Sequence, residues 1–228
     1  MNERIVTARD QGYPERLTAL LGPEAPAALS CAGNEELLGM HSLALLCSRQ
    51  CPGSMILQTY EFIQKLRRRN IAVIGGFHSP MEKECLRALM SGVTGIVWCL
   101  AKTIDRFKVP DEFKALADAG RLLLLSPFPA TATRITAETA AVRNRVAAAL
   151  ADEVFLPHAA AGSSTEAFCL ELLAWEKPVL TLAAEENRGI LERGAQAVGT
   201  TDIDTLWPGE PAPPRQGDLA SEQEEPET

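Results

Sequence analysis

The feature that most constrains this chain is its alternation of short apolar runs with longer helical patterns. Segments 42–48 (SLALLCS), 71–76 (IAVIGG), 95–101 (GIVWCLA), 122–126 (LLLLS), 153–158 (EVFLPH), 178–182 (PVLTL) and 195–198 each read as a strand. Helical patterns separate them at 54–69, 80–91, 110–119, 136–150, 164–175 and, more briefly, 187–193. Near-continuous apolar strands are buried on both faces, and parallel neighbours need a crossover between them. The pattern therefore predicts an α/β chain with a Rossmann-like, doubly wound, mainly parallel sheet and helices on both faces. Ligands of such sheets lie beyond the strand carboxyl ends, where the strand order reverses.

Residues 42–200 are expected to form this domain. Residues 1–41, with a strand at 27–32 and a helical turn at 35–38, are expected to be an N-terminal extension packing on the core. Residues 201–228 read as an acidic, Pro-rich disordered tail, because from Pro208 onward large apolar residues are nearly absent. Net charge is −8, but residues 201–228 hold eight acids against one base, while 42–200 hold 18 bases against 16 acids. The acidity thus belongs mostly to the tail and leaves room for a local basic face on the domain.

No apolar run approaches the roughly 20 residues of a membrane span, and the first residues lack a signal peptide's pattern. A cytoplasmic protein without membrane association is expected. Of the six cysteines, Cys47 and Cys51 have CxxxC spacing, but no second Cys or His pair completes a metal set. His41, His78 and His158 are scattered, so neither a metal nor a cofactor is expected.

Four places could hold a ligand. The loop from Ser48 and Arg49 to Ser54 leads into a helix, whose free N–H groups and dipole favour an anion. It is not a GxGxxG loop and does not indicate a dinucleotide. Gly75 and Gly76 allow a backbone or ligand to approach closely, and Glu82 and Glu84 then complement the dipole of the following helix. Arg143-Asn144-Arg145 offers charged forks suited to phosphate, although arginines two apart on a helix point to different sides. Gly162-Ser163-Ser164-Thr165-Glu166 is a small-residue turn opening a helix. There Glu166 reads either as part of a capping box or as a general acid/base beside a phosphate; spacing favours the cap.

In this order the parts resemble the DNA-processing protein A (DprA/Smf) family, within a Rossmann-like superfamily that includes the "lonely guy" (LOG) phosphoribohydrolases. The resemblance is carried by Tyr13-Pro14, Leu45-Leu46-Cys47-Ser48-Arg49, Ile74-Gly75-Gly76, Arg143-Asn144-Arg145, Gly162-Ser163 and Gly194-Ala195. It implies a protein that binds single-stranded DNA or a nucleotide in DNA uptake or processing, as a homodimer. Its phosphate pocket would contain Ser48, Arg49, Gly75, Gly76, Arg143, Asn144, Arg145, Gly162, Ser163 and Ser164. The family's Gly-Ile-Asp…Ala-His segment is replaced here, with Glu82 keeping the acid and Leu86 standing for the histidine. Resemblance to the LOG branch implies an alternative: a nucleoside-monophosphate N-glycosidic hydrolase with Glu166 and Arg145 as catalytic residues. A nucleotide-signal sensor is the third reading.

Overall fold

The computed structural model describes residues 3–105 and 107–208. Nine strands form one sheet: β1 (Glu3–Thr7), β2 (Ala28–Gly33), β3 (Ser42–Leu45), β4 (Ala72–Gly75), β5 (Gly95–Cys99), β6 (Leu122–Ser126), β7 (Glu153–Phe155), β8 (Val179–Leu182) and β9 (Gln196–Val198). Their spatial order is β1-β2-β6-β5-β4-β3-β7-β8-β9. All pairs from β6 through to β9 are parallel, while β1–β2 and β2–β6 are antiparallel. The seven strands predicted from the apolar runs all form, and they make the mainly parallel, doubly wound sheet that was expected.

Strand alternation sorts the side chains into two cores. Ala44, Leu46, Ala72 and Ile74 face one side, which α1 (Glu15–Leu21), α5 (Ala137–Leu150) and α6 (Ser164–Ala174) cover. Leu43, Leu45, Ile71 and Val73 face the other, under α2 (Gly53–Leu66), α3 (Pro80–Met90) and α4 (Lys114–Asp118). Successive strand residues point to opposite faces, so runs this apolar must be covered twice. Two short helices, α7 (Arg188–Leu191) and α8 (Ile203–Leu206), complete the chain.

Two domain boundaries differ from expectation. The N-terminal segment does more than pack on the core: β1 and β2 extend the sheet itself, in antiparallel register with β6. β1 escapes a sequence reading because it is a half-buried edge strand in which only Val6 is buried. At the other end, residues 201–208 belong to the folded unit. Ile203 and Trp207 are buried, and Trp207 packs edge-on to Phe62 and donates its indole N–H to Glu153 Oε2 at 3.1 Å. Two apolar anchors one helical turn apart suffice to fix this segment, although its average composition matches the acidic tail. The expected disorder of 209–228 lies outside the described residues.

Candidate functional site

The strand order reverses between β3 and β7. From β3 the chain winds outward through β4, β5 and β6, then returns to lay β7, β8 and β9 on β3's other side. The loops leaving β3 and β7 therefore bound a crevice at the strand carboxyl ends, the usual ligand position in such sheets. They are joined across it: the Ser48 N–H donates to the His158 carbonyl, and the Ala160 N–H donates to Ser48 Oγ, both at 3.3 Å. Ser48 is thus buried in the crevice wall, whereas Arg49 beside it is exposed and has no ion pair among the described residues.

The loop after β4 forms the next wall. Gly75 and Gly76 are buried, and a Cβ on Gly76 would overlap the guanidinium of Arg143. Arg143 reaches this place from the middle of α5. Its side chain is 6% exposed, yet its one hydrogen bond among the described residues is from Nε to Asn144 Oδ1, at 2.8 Å. No carboxylate of a described residue pairs with it. The Nη atoms of this fork are not fully enclosed, so an anion arriving from solvent can pair with them.

Arg145 has a different environment. Its Nε lies 2.7 Å from Glu171 Oε1 and its Nη1 lies 3.1 Å from Glu24 Oε2. The Glu171 hydrogen bond raises its pKa further above the ordinary guanidinium value. With Leu20, Leu21, Pro23 and Trp175, these residues line a separate recess of about 370 Å³ between α1 and α6. The two arginines diverge as their spacing requires, and only Arg143 meets Gly76.

Gly162-Ser163-Ser164 opens α6 beyond β7. Gly162 has φ +70°, which glycine adopts without strain, and Ser163 Oγ accepts the Glu166 N–H at 3.1 Å. Ser164 is exposed in the first turn. Glu166 Oε2 accepts the Gly162 N–H at 2.7 Å, and Oε1 pairs with Arg193 at 3.0 Å. The Ser163 cap forms as the spacing suggested, but the carboxylate braces the turn through Gly162 and the Ser163 N–H donates to the Ala160 carbonyl instead, so the expected capping box does not close. The structure does not bring Glu166 and Arg145 together: each is engaged by other partners.

One organising residue was read from sequence as a complement to the helix dipole and, by resemblance, as the acid kept in the family's segment. Glu82, 6% exposed, accepts the Cys47 N–H on Oε1 at 3.0 Å, and the His78 and Ser79 N–H groups on Oε2 at 2.8 and 3.3 Å. One carboxylate thereby ties the loop after β3 to the loop after β4. The signal was present as Ser79-x-x-Glu82, a capping box placed directly after a strand. Asn187 acts similarly beneath β7. Its Nδ2 donates to the Pro157 and Leu182 carbonyls, at 2.8 and 3.1 Å, while Oδ1 lies 3.1 Å from His158 Nδ1.

The six cysteines are free thiols, and no described residues form a metal-binding cluster. No described helix is long and apolar enough to cross a membrane.

A sequence model of the family described as DNA recombination-mediator protein A matches residues 4–204. No curated protein matches the chain. Among solved structures, DNA processing protein A from Streptococcus pneumoniae is similar with a TM-score of 0.72 at 20% identity, covering 91% of this chain and 75% of its own. DNA processing protein A from Helicobacter pylori, described for its single-stranded DNA binding mode, reaches 0.70 at 18% identity, covering 96% and 97%. The molybdenum cofactor binding protein from Rippkaea orientalis reaches 0.51 at 12% identity, covering 73% and 94%. At these identities the structural likeness is one of fold.

Proposed function

The chain belongs to the DNA recombination-mediator protein A family, and from that premise we propose that it binds single-stranded DNA through its phosphates, in a DNA-processing role. The observation that carries this reading is Arg143: a buried cation facing Gly76 at the strand carboxyl ends, with no anionic partner among the described residues. The pocket comprises Ser48, Arg49, Gly75, Gly76, Arg143 and Asn144, with Gly162, Ser163 and Ser164 at the α6 terminus. Arg143 supplies the buried fork, Arg49 an exposed charge at the rim, and the α6 terminus free N–H groups. Arg145 is outside this set because Glu24 and Glu171 already neutralise it. That the Helicobacter pylori relative is described as binding single-stranded DNA supports the choice of ligand.

Phosphate recognition makes a direct prediction for salt. Each contacted phosphate of a single strand adds roughly −0.7 to the slope of log affinity against log salt. Labelled oligo-dT, followed by fluorescence anisotropy across a potassium chloride series, should show affinity falling steeply with salt. Arg143→Ala should abolish most of the binding at low salt. Absence of oligo-dT binding by the wild type at low salt would overturn the reading. We further take the protein to be a cytoplasmic homodimer. Ile56, Leu57 and Tyr60 form an exposed apolar flank on α2 that suits self-association, which sedimentation would test.

A further inference from the structure

A buried histidine at the strand carboxyl ends has one side of its ring uncommitted. His158 lies just beyond β7 and is 5% exposed. Its carbonyl accepts the Ser48 N–H, which places it in the crevice wall between the β3 and β7 loops. Its Nδ1 lies 3.1 Å from Asn187 Oδ1. The Asn187 amide is itself fixed, because its Nδ2 donates to the Pro157 and Leu182 carbonyls and would lose both by turning over. The oxygen that faces His158 can only accept, so Nδ1 carries a hydrogen. In the neutral ring the lone pair then sits on Nε2. That nitrogen has no hydrogen bond among the described residues, yet it is not sealed from solvent.

We propose that His158 is a further phosphate contact of this crevice, donating from Nε2 in its protonated form, so that ligand binding takes up a proton. The choice of ligand rests on the DNA-binding reading. A phosphodiester oxygen accepts hydrogen bonds and has no hydrogen to give. A neutral ring would set one lone pair against another, whereas the protonated ring donates at both ends, to Asn187 and to the phosphate. One proton from solvent is gained at Nε2 for each ligand bound.

The charged neighbours leave this proton to the ligand. The loop after β3 contributes Arg49 and the thiols of Cys47 and Cys51. The turn into α6 leads to Glu166, which is paired with Arg193. From the segment after β8 come Glu185, paired with Arg188, and Glu186, whose Oε1 accepts the hydroxyl of Ser54 in the first turn of α2 at 2.8 Å. Carboxylates and guanidinium groups ordinarily keep their charge near neutral pH, where histidine changes its own. Two other groups able to titrate near the crevice are Cys51 and the exposed His78 on the loop after β4.

The test compares oligo-dT affinity at about pH 8 and about pH 6, at fixed ionic strength, by anisotropy. Wild-type affinity should rise at least about threefold on acidification. Asparagine at position 158 can keep the bond to Asn187 through its own amide while nothing replaces Nε2. In His158→Asn the rise should vanish, whereas His78→Asn and Cys51→Ser should retain it. A rise that survives in folded His158→Asn, or one lost in His78→Asn or Cys51→Ser, would overturn the proposal. A second readout needs no variant: heteronuclear NMR of the ring nitrogens should show hydrogen on Nδ1 in the free protein and an Nε2 that protonates at higher pH once oligo-dT is bound. Hydrogen on Nε2 instead of Nδ1 in the neutral free ring, or an Nε2 unmoved by the oligonucleotide, would equally overturn it. If the wild type binds no oligo-dT at either pH, the DNA-binding reading fails and inorganic phosphate decides the contact. An Nε2 titration moved to higher pH by phosphate supports the contact, and an unmoved one overturns it.

Discussion

Arg143 occupies the space that a side chain on Gly76 would need. A Cβ there would overlap the guanidinium, so glycine in the loop after β4 is the condition for arginine from α5 to reach the strand ends. The contact joins two segments 67 positions apart in the sequence and creates a buried, unpaired positive charge.

Gly76→Ala is expected to expel that guanidinium from its place. Oligo-dT affinity should fall by about tenfold or more, while stability should change little, because the overlapped atoms are the far end of a flexible side chain that can swing away. Titration and thermal melting of the same sample check both. Wild-type affinity in a folded Gly76→Ala protein would refute the assignment of Arg143.

Arg143→Ala and Arg145→Ala should differ in kind. Removing Arg143 relieves an uncompensated buried charge, so stability should hold or rise while oligo-dT binding is lost. Removing Arg145 breaks partly exposed ion pairs with Glu24 and Glu171, worth at most about 1 kcal/mol, and should leave binding intact. Equal losses of affinity in the two variants would show that the divergence along α5 does not govern the ligand.

Glu82→Gln tests the tie between two loops. Glutamine keeps one acceptor oxygen but presents an NH2 group to donors from Cys47 or from His78 and Ser79. A stability loss of roughly 1–3 kcal/mol is expected, the cost of leaving buried donors unsatisfied, together with weaker oligo-dT binding. Urea melts and anisotropy would measure the two effects. A Glu82→Gln protein with wild-type stability and affinity would contradict the bracing role.

Asp152 braces the opposite end of β3 and should govern acid stability rather than binding. Its Oδ2 accepts both the N–H and the hydroxyl of Ser42, at 2.8 and 2.9 Å, and its Oδ1 meets Arg16 at 2.7 Å. Burial works to raise its pKa, but the Ser42 bonds, then Arg16 and His41, together hold it below 3.8. A depressed carboxyl pKa contributes stability above the unfolded value, and that stability disappears as pH falls through the folded value. Asp152→Asn should therefore lose roughly 1–2 kcal/mol at neutral pH, and the gap from wild type should close below pH 3.8. Melting curves at neutral and acid pH, with unchanged oligo-dT affinity, are the expected result; a gap that persists in acid would exclude the linkage.

Much of the fold was legible because each parallel strand is buried on both faces and so appears as an unbroken apolar run. The Leu122–Ser126 and Val179–Leu182 strands stand out for that reason. β1 and α8 did not, since a half-buried edge strand and a single helical turn carry only one or two buried side chains each.

The site was legible in its members more than in its geometry. Local spacing by itself determined that Arg143 and Arg145 diverge and that Ser163 or Ser164 caps α6 beside Glu166, because helix geometry sets relations within a few residues; the structure selects Ser163. Which arginine would be buried against Gly76 and which would meet Glu24 and Glu171 was decided only by the packing of α5 between the sheet, α1 and α6. The same holds for Glu82, whose partner Cys47 lies across two strand ends. Hydrogen-bond partners so distant in sequence are chosen by the register of the sheet, which brings the β3, β4 and β7 loops to one edge.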